Sequence, residues 1–150
     1  MLTPAILRVA NQPSADRGGG NRTIPMVGPD VGSKQILNGI TIIGAGSQIN
    51  EHFHNCEESV IVLEGRAVAV VAGAEHALDP GDTVWIPPEM PHYFRNASAT
   101  DPLRIFWTYA TPAPHARWWP RAKPGPWRPS IRNCKGCSRQ VDRWHHSNAW

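Results

Sequence analysis

The chain has 150 residues, enough for one domain around a single core, and its 13 glycines and 15 prolines punctuate short apolar runs. That texture argues against a helical bundle and for an all-β protein. The net charge of +3 joins two unlike regions: residues 1–110 hold 7 Lys/Arg against 11 Asp/Glu, and residues 111–150 hold 8 against 1. No run approaches the roughly 18 apolar residues of a membrane span, so no membrane partner is expected. The apolar stretch near Met1 has no cationic region ahead of it, and the cysteines are odd in number. Neither a secretory leader nor a disulfide framework is therefore expected, and a cytoplasmic location is the default.

In chain order, residues 1–35 read as a polar N-terminal arm containing Gly18-Gly19-Gly20, with one strand near Thr23–Val27. Residues 36–110 then give eight strand signals in quick succession: Gly39–Ile43, Asn50–His54, Ser59–Glu64, Ala67–Ala72, Glu75–Leu78, Thr83–Ile86, His92–Arg95 and Leu103–Tyr109. Glu64-Gly65-Arg66 is expected to close a tight hairpin. Asp79-Pro80-Gly81-Asp82 places Pro and Gly where a type II turn needs a fixed φ and then a positive one. Short strands at even spacing point to a barrel or jelly roll, which closes its edges. Residues 111–150 form a basic tail rich in Pro and Trp, with neither strand nor helix period, and disorder is expected there.

The residues that carry chemistry lie in the middle of the barrel segment. His52 and His54 are two apart on an extended run, so both side chains project from one face. Glu58 follows after a short step, and His92 arrives from a separate strand behind Pro91, which holds Met90 extended. Neutral imidazole is the commonest metal-ligating side chain. Three imidazoles and a carboxylate suit a divalent transition metal, and Fe, Mn, Ni, Cu and Zn all remain open.

These positions resemble the cupins. The first cupin motif, G(x)5HxH(x)3–4E(x)6G, is matched by Gly46, His52, His54, Glu58 and Gly65. The second, G(x)5PxG(x)2H(x)3N, is matched by Gly81, Pro87, His92 and Asn96, with Glu89 standing where the motif has glycine. The resemblance covers about residues 36–110. It implies a small single-domain conserved-barrel cupin: a double-stranded β-helix, the RmlC-like jelly roll, with an irregular C-terminal tail. It also implies that His52, His54, Glu58 and His92 hold the metal, and that Glu58 can serve as the catalytic base.

Around that centre, Trp85, Phe94 and Trp107 are the first candidates for walls of a substrate pocket, although core packing is the default for apolar residues of a barrel. Cys56 reads as a small buried thiol and His76 as exposed. In the tail, Cys134-Lys135-Gly136-Cys137 with His145-His146 has no standard zinc spacing, and interleaved Trp and basic residues are weak evidence for nucleic acid. A reading-frame slip accounts for the tail better. Trp118-Trp119-Pro120 must be encoded TGGTGGCCN, which read two bases later gives Val-Ala and can continue Thr-Gly-Glu-Thr. No nucleic-acid partner is expected.

The function expected from the resemblance is a metal-binding cupin acting as a metal-dependent dioxygenase on a small organic substrate. Its rivals are a metal-dependent sugar or keto-acid isomerase or lyase, and a non-catalytic small-molecule-binding cupin. A homodimer is also open, with the arm adding a strand to a neighbouring sheet.

Overall fold

The computed structural model describes residues 3–118. Eleven strands form two antiparallel sheets: β1 (Ala15–Gly18), β2 (Asn21–Pro25), β3 (Leu37–Ile43), β4 (His52–His54), β5 (Glu58–Glu64), β6 (Ala67–Val71), β7 (Ala74–Leu78), β8 (Thr83–Ile86), β9 (His92–Asn96), β10 (Leu103–Tyr109) and β11 (Ala116–Trp118). One sheet runs β1-β2-β3-β10-β5-β8 and the other β11-β4-β9-β6-β7. The only helical elements among the described residues are short 3-10 turns at Val9–Asn11 and Pro29–Val31. None is long and apolar enough to cross a membrane. This is the expected all-β jelly roll.

Alternation sets the interior. On β10, Leu103, Ile105 and Trp107 are buried, and the residues between them are only partly so. On β5, the buried set is Glu58, Val60 and Val62. Together with Ile43, Ala69, Ile86 and Phe94 these apolar residues build one core. Trp107 fits there because its cross-strand neighbour is Gly39: a Cβ on Gly39 would stand 2.5 Å from the indole Cζ2. The buried indole nitrogen donates to Thr41 Oγ1 at 3.0 Å, so its polar end is satisfied.

Three local outcomes differ from the sequence expectations. Glu64-Gly65-Arg66 is a corner between the sheets, not a hairpin: β5 pairs with β10 and β8, while β6 pairs with β7 and β9. The two-residue hairpin lies one strand later, at Ala72-Gly73, where φ is 50° and 81°. Two successive positive φ values are the mark of a type I′ turn. The arm contributes a hairpin of its own, with β1 paired to β2 and β2 paired to β3. Finally, β11 lies in the segment expected to hold no element and pairs with β4 along Ala116↔His54, Arg117↔Phe53 and Trp118↔His52. The turn at residues 79–82 is as expected: Asp82 N–H donates to the Asp79 carbonyl at 3.0 Å and Gly81 has φ 95°. Residues 119–150, with the tail cysteines, the histidine pair and most of the frame-slip reading, lie outside the described residues.

Candidate metal centre

The four residues of the sequence motif meet inside the barrel. His52 and His54 are the two buried residues of β4 and flank half-buried Phe53, as strand alternation requires. His92 opens β9 directly opposite His52 in the ladder. Glu58 opens β5, and all four side chains are buried. One donor atom from each lies within 4.8 Å of every other. The imidazole centroids are 4.5 Å apart for His52–His92, 4.8 Å for His52–His54 and 5.5 Å for His54–His92.

Two of the rings are fixed by their far nitrogens. His52 Nδ1 is 2.7 Å from the Asn50 carbonyl, and His92 Nδ1 is 2.8 Å from the Met90 carbonyl. A carbonyl only accepts, so each Nδ1 carries the proton and each Nε2 keeps its lone pair for the interior. His92 Nε2 stands 2.8 Å from Glu58 Oε2, and His54 Nε2 stands 3.7 Å from the same oxygen. Neither contact is a hydrogen bond: the second is too long, and in the first the His92 proton is on Nδ1. Glu58 Oε2, His92 Nε2 and both ring nitrogens of His54 are buried with no hydrogen-bond partner among the described residues.

Orphaned buried polar atoms are costly, and a cluster of them needs an explanation. A metal ion supplies one. Donors at about 2.1 Å on opposite sides of one ion are about 4.2 Å apart, so this set needs only a few tenths of an ångström to close on it. The electrostatics favour the ligating form of the imidazoles. Burial pushes His54 down to about 4; Glu58 opposes the shift, and His52 and His92 add to it. His52 is likewise lowered, first by burial and then by His92, against the Asn50 bond and Glu58. The residues present fit a divalent metal.

The other motif positions have structural duties. Asn96 Nδ2 donates to the carbonyls of Ile43, Gly44 and Asp101 at 2.7–3.1 Å, and its Oδ1 accepts from Ser98 N–H at 2.9 Å. It ties the end of β9 to the loops beside it. Glu89 adopts the left-handed conformation its glycine counterpart would favour, with φ 62°, and its amide donates to the His54 carbonyl. The loop before His92 is thus fastened to the strand of His54.

The proposed pocket walls separate. Phe94 and Trp107 point inward and belong to the core, with Phe94 6.4 Å from the His92 ring. Trp85 does not face the centre. It pairs with Ser59, while the flanking Ile86 is opposite Glu58, so alternation puts Trp85 on the outer face, 62% exposed. Its aromatic character suggested a wall; the parity of β8 decides against it. His76 is exposed on β7, as expected. Cys56 is half-buried, and burial, then Glu58, raises its thiol, so it stays protonated near neutrality.

Sequence reasoning missed Tyr109. It lies directly opposite Glu58 in the β10–β5 ladder. Its ring is 4.5 Å from that of His54 and 4.9 Å from that of Trp107. The available signal was strand parity: Tyr109 is two residues beyond Trp107, on the same inward face. An open groove of about 450 Å³ is lined by Lys34, Ile36, Ala110 and Pro112 and by none of the four donors. A larger one, about 660 Å³, is on the outside of the six-stranded sheet by Arg22, Ile42 and Arg104, away from the four donors.

Comparison with known proteins agrees with this geometry. The cupin-domain family model matches residues 39–109. The polyketide synthase CurC of Streptomyces cyaneus is 33% identical over 107 residues, covering 70% of this chain and 69% of its own length. The chain belongs to the cupin superfamily. Among solved cupin structures, the polyketide cyclase RemF of Streptomyces resistomycificus superposes with a TM-score of 0.70 at 16% identity, over 81% of this chain and 89% of RemF. The salicylate 1,2-dioxygenase of Pseudoaminobacter salicylatoxidans in complex with gentisate superposes with a TM-score of 0.59 at 18% identity, over 69% of this cupin and 30% of the dioxygenase. At such identities these two superpositions speak for the fold alone.

Proposed function

We propose that this cupin is a metal-dependent enzyme that activates an enolisable or phenolic small molecule of the aromatic polyketide type at the open end of its barrel. The observation that carries the reading is the buried set of His52, His54, Glu58 and His92, whose donor atoms include several with no hydrogen-bond partner among the described residues. The substrate class is supported by the names borne by CurC and RemF. A divalent metal at these residues would polarise a substrate oxygen and acidify the neighbouring C–H or O–H.

The chain's own groups then have distinct duties. His52 and His92 are held as neutral donors by the Asn50 and Met90 carbonyls. Glu58 is the residue able to take a proton from an acidic carbon or phenol at the centre, since it is the carboxylate of the cluster. Phe94, Trp107 and Ile86 keep the inner side dry, which strengthens each electrostatic interaction there.

Two reactions share this machinery: proton transfer leading to ring closure or isomerisation, and oxygenation by O₂. The first is favoured by the relatives named for polyketide chemistry; the second is the dioxygenase expected from sequence. Elemental analysis of the purified protein comes first, with His52→Ala and His92→Ala beside it. Close to one transition-metal ion per wild-type chain, lost in both variants, is expected; equal metal in all three sinks the proposal. Turnover of a poly-β-ketone or phenolic substrate with and without O₂ then divides the reactions. Anaerobic product supports cyclisation or isomerisation, and strict dependence on O₂ with matching uptake supports the dioxygenase. Tight binding of either substrate without product under both conditions would make it a binding protein.

A further inference from the structure

The three histidines of the centre are not held alike. His52 and His92 each bond through Nδ1 to the carbonyl two residues earlier, Asn50 at 2.7 Å and Met90 at 2.8 Å. Position explains this. His52 opens β4 and His92 opens β9, so Asn50 and Met90 precede the strands and their carbonyls can turn to a side chain. His54 closes β4, and two residues before it stands His52, whose backbone lies in the ladders to β9 and β11. Ladder carbonyls point along the sheet, and side chains stand roughly perpendicular to it, so that carbonyl cannot hold the ring. Both ring nitrogens of His54 are accordingly buried without a hydrogen-bond partner among the described residues. Its Nε2 is also farther from Glu58 Oε2, at 3.7 Å against 2.8 Å for His92. The backbone beneath is fastened, since the Glu89 amide donates to the His54 carbonyl and Ala116 pairs with His54 from β11. Only the ring lacks a polar restraint.

We propose that His54 is the exchangeable ligand of the centre: a chelating oxygen substrate takes the place of its Nε2, while His52, His92 and Glu58 keep the metal. The inference rests on the reading that the four residues bind a metal. It narrows the substrate class to molecules with two adjacent oxygens, such as an enolised β-diketone or a catechol, because a two-oxygen grip offsets the one imidazole given up. Outer partners of a ligating histidine are worth about 10–100-fold in metal affinity, so His54 contributes that much less than His52 or His92.

The test is titration of the metal-free full chain with Co(II), read by calorimetry and by the visible ligand-field spectrum, beside His52→Ala, His54→Ala and His92→Ala. Wild type is expected to bind one ion per chain. The affinity lost in His54→Ala should be about 10–100-fold smaller than that lost in either other variant. His54→Gln repeats the comparison if His54→Ala fails to fold. Acetylacetone, an enolised β-diketone, is then added to the cobalt forms, and gel filtration checks that the ion stays on the protein. Wild type and the His54 variant start from different spectra and should reach the same one. Equal losses in the three variants, spectra that stay distinct, or release of the cobalt overturns the inference and leaves the metal centre standing. Failure of the wild type to bind Co(II) overturns both.

Discussion

The two sheets hold their share of the centre in different ways. Glu58 is carried by β5, seven residues paired to β10 on one side and, over Glu58–Ile61, to β8 on the other. His52 and His54 ride on β4, three residues long, which meets β9 at the single register pair His52↔His92 and is otherwise paired with β11. The carboxylate and His92, whose strand β9 pairs with β6 over five positions, therefore sit on continuous ladder, whereas His52 and His54 depend on a short strand and its short neighbour, with a carbonyl bond to the His52 ring. A site is most precise where the backbone beneath it is over-determined. By that measure the histidine side is the adaptable half and the glutamate side the anchor.

The contrast can be broken most strongly with metal. Removing the ion by chelation should destabilise the fold, and restoring it at 100 times its Kd should return about 2.7 kcal/mol, measured by urea denaturation with and without added ion. Hydrogen exchange should place the loss in residues 50–58 and 87–92, with β10 and β3 little changed. Uniform loss across both sheets would erase the proposed asymmetry.

Acid should act on the same half. In the metal-free protein His54 is held neutral to about 4, against an ordinary value of 6.5, and His52 is lowered in the same sense. The unfolded chain takes up these protons first, so stability is whole above about pH 6.5 and drains away down to about pH 4. The change attributable to His54 is on the order of 3 kcal/mol. Replacing His54 by Gln should flatten that part of a pH series of urea midpoints.

A somewhat smaller effect belongs to the anchor sheet. Gly39→Ala drives a methyl into the Trp107 indole and should cost about 1–3 kcal/mol without a change in metal stoichiometry. Smallest are two turn positions where a side chain occupies positive φ. Ala72→Asn in the type I′ hairpin and Glu89→Gly beside the centre should each raise stability by about 0.5–1 kcal/mol, seen as a higher melting temperature.

The sequence was most legible where residue type and spacing act together. The HxH pair, Glu58 and His92 could be placed because a period of two fixes a strand face, and the eight central strands because turn residues bracket them. What escaped it depended on partners distant in sequence. β1 is exposed along its whole length and has no alternation to read. β11 is paired to a strand some 60 residues earlier, which no local pattern encodes. Gly65 suited a hairpin and serves a corner equally well, since positive φ says nothing about which sheet the chain enters next. Trp85 and Tyr109 show the cost of weighing residue type above parity: the first was expected inside and faces out, and the second was passed over although it lies on the inward face.

The β4–β11 pairing sets an order on assembly. The histidine strand emerges early in synthesis, yet its fullest partner follows only at Ala116–Trp118, after every other strand of the barrel. A nascent chain can thus collapse around Phe94 and Trp107 while the imidazole segment still lacks its flank. Loading of a metal ion at these residues would then be a late event, and a ribosome paused before Ala116 would display a barrel in which Glu58 and His92 are seated while His52 and His54 still lack their flank.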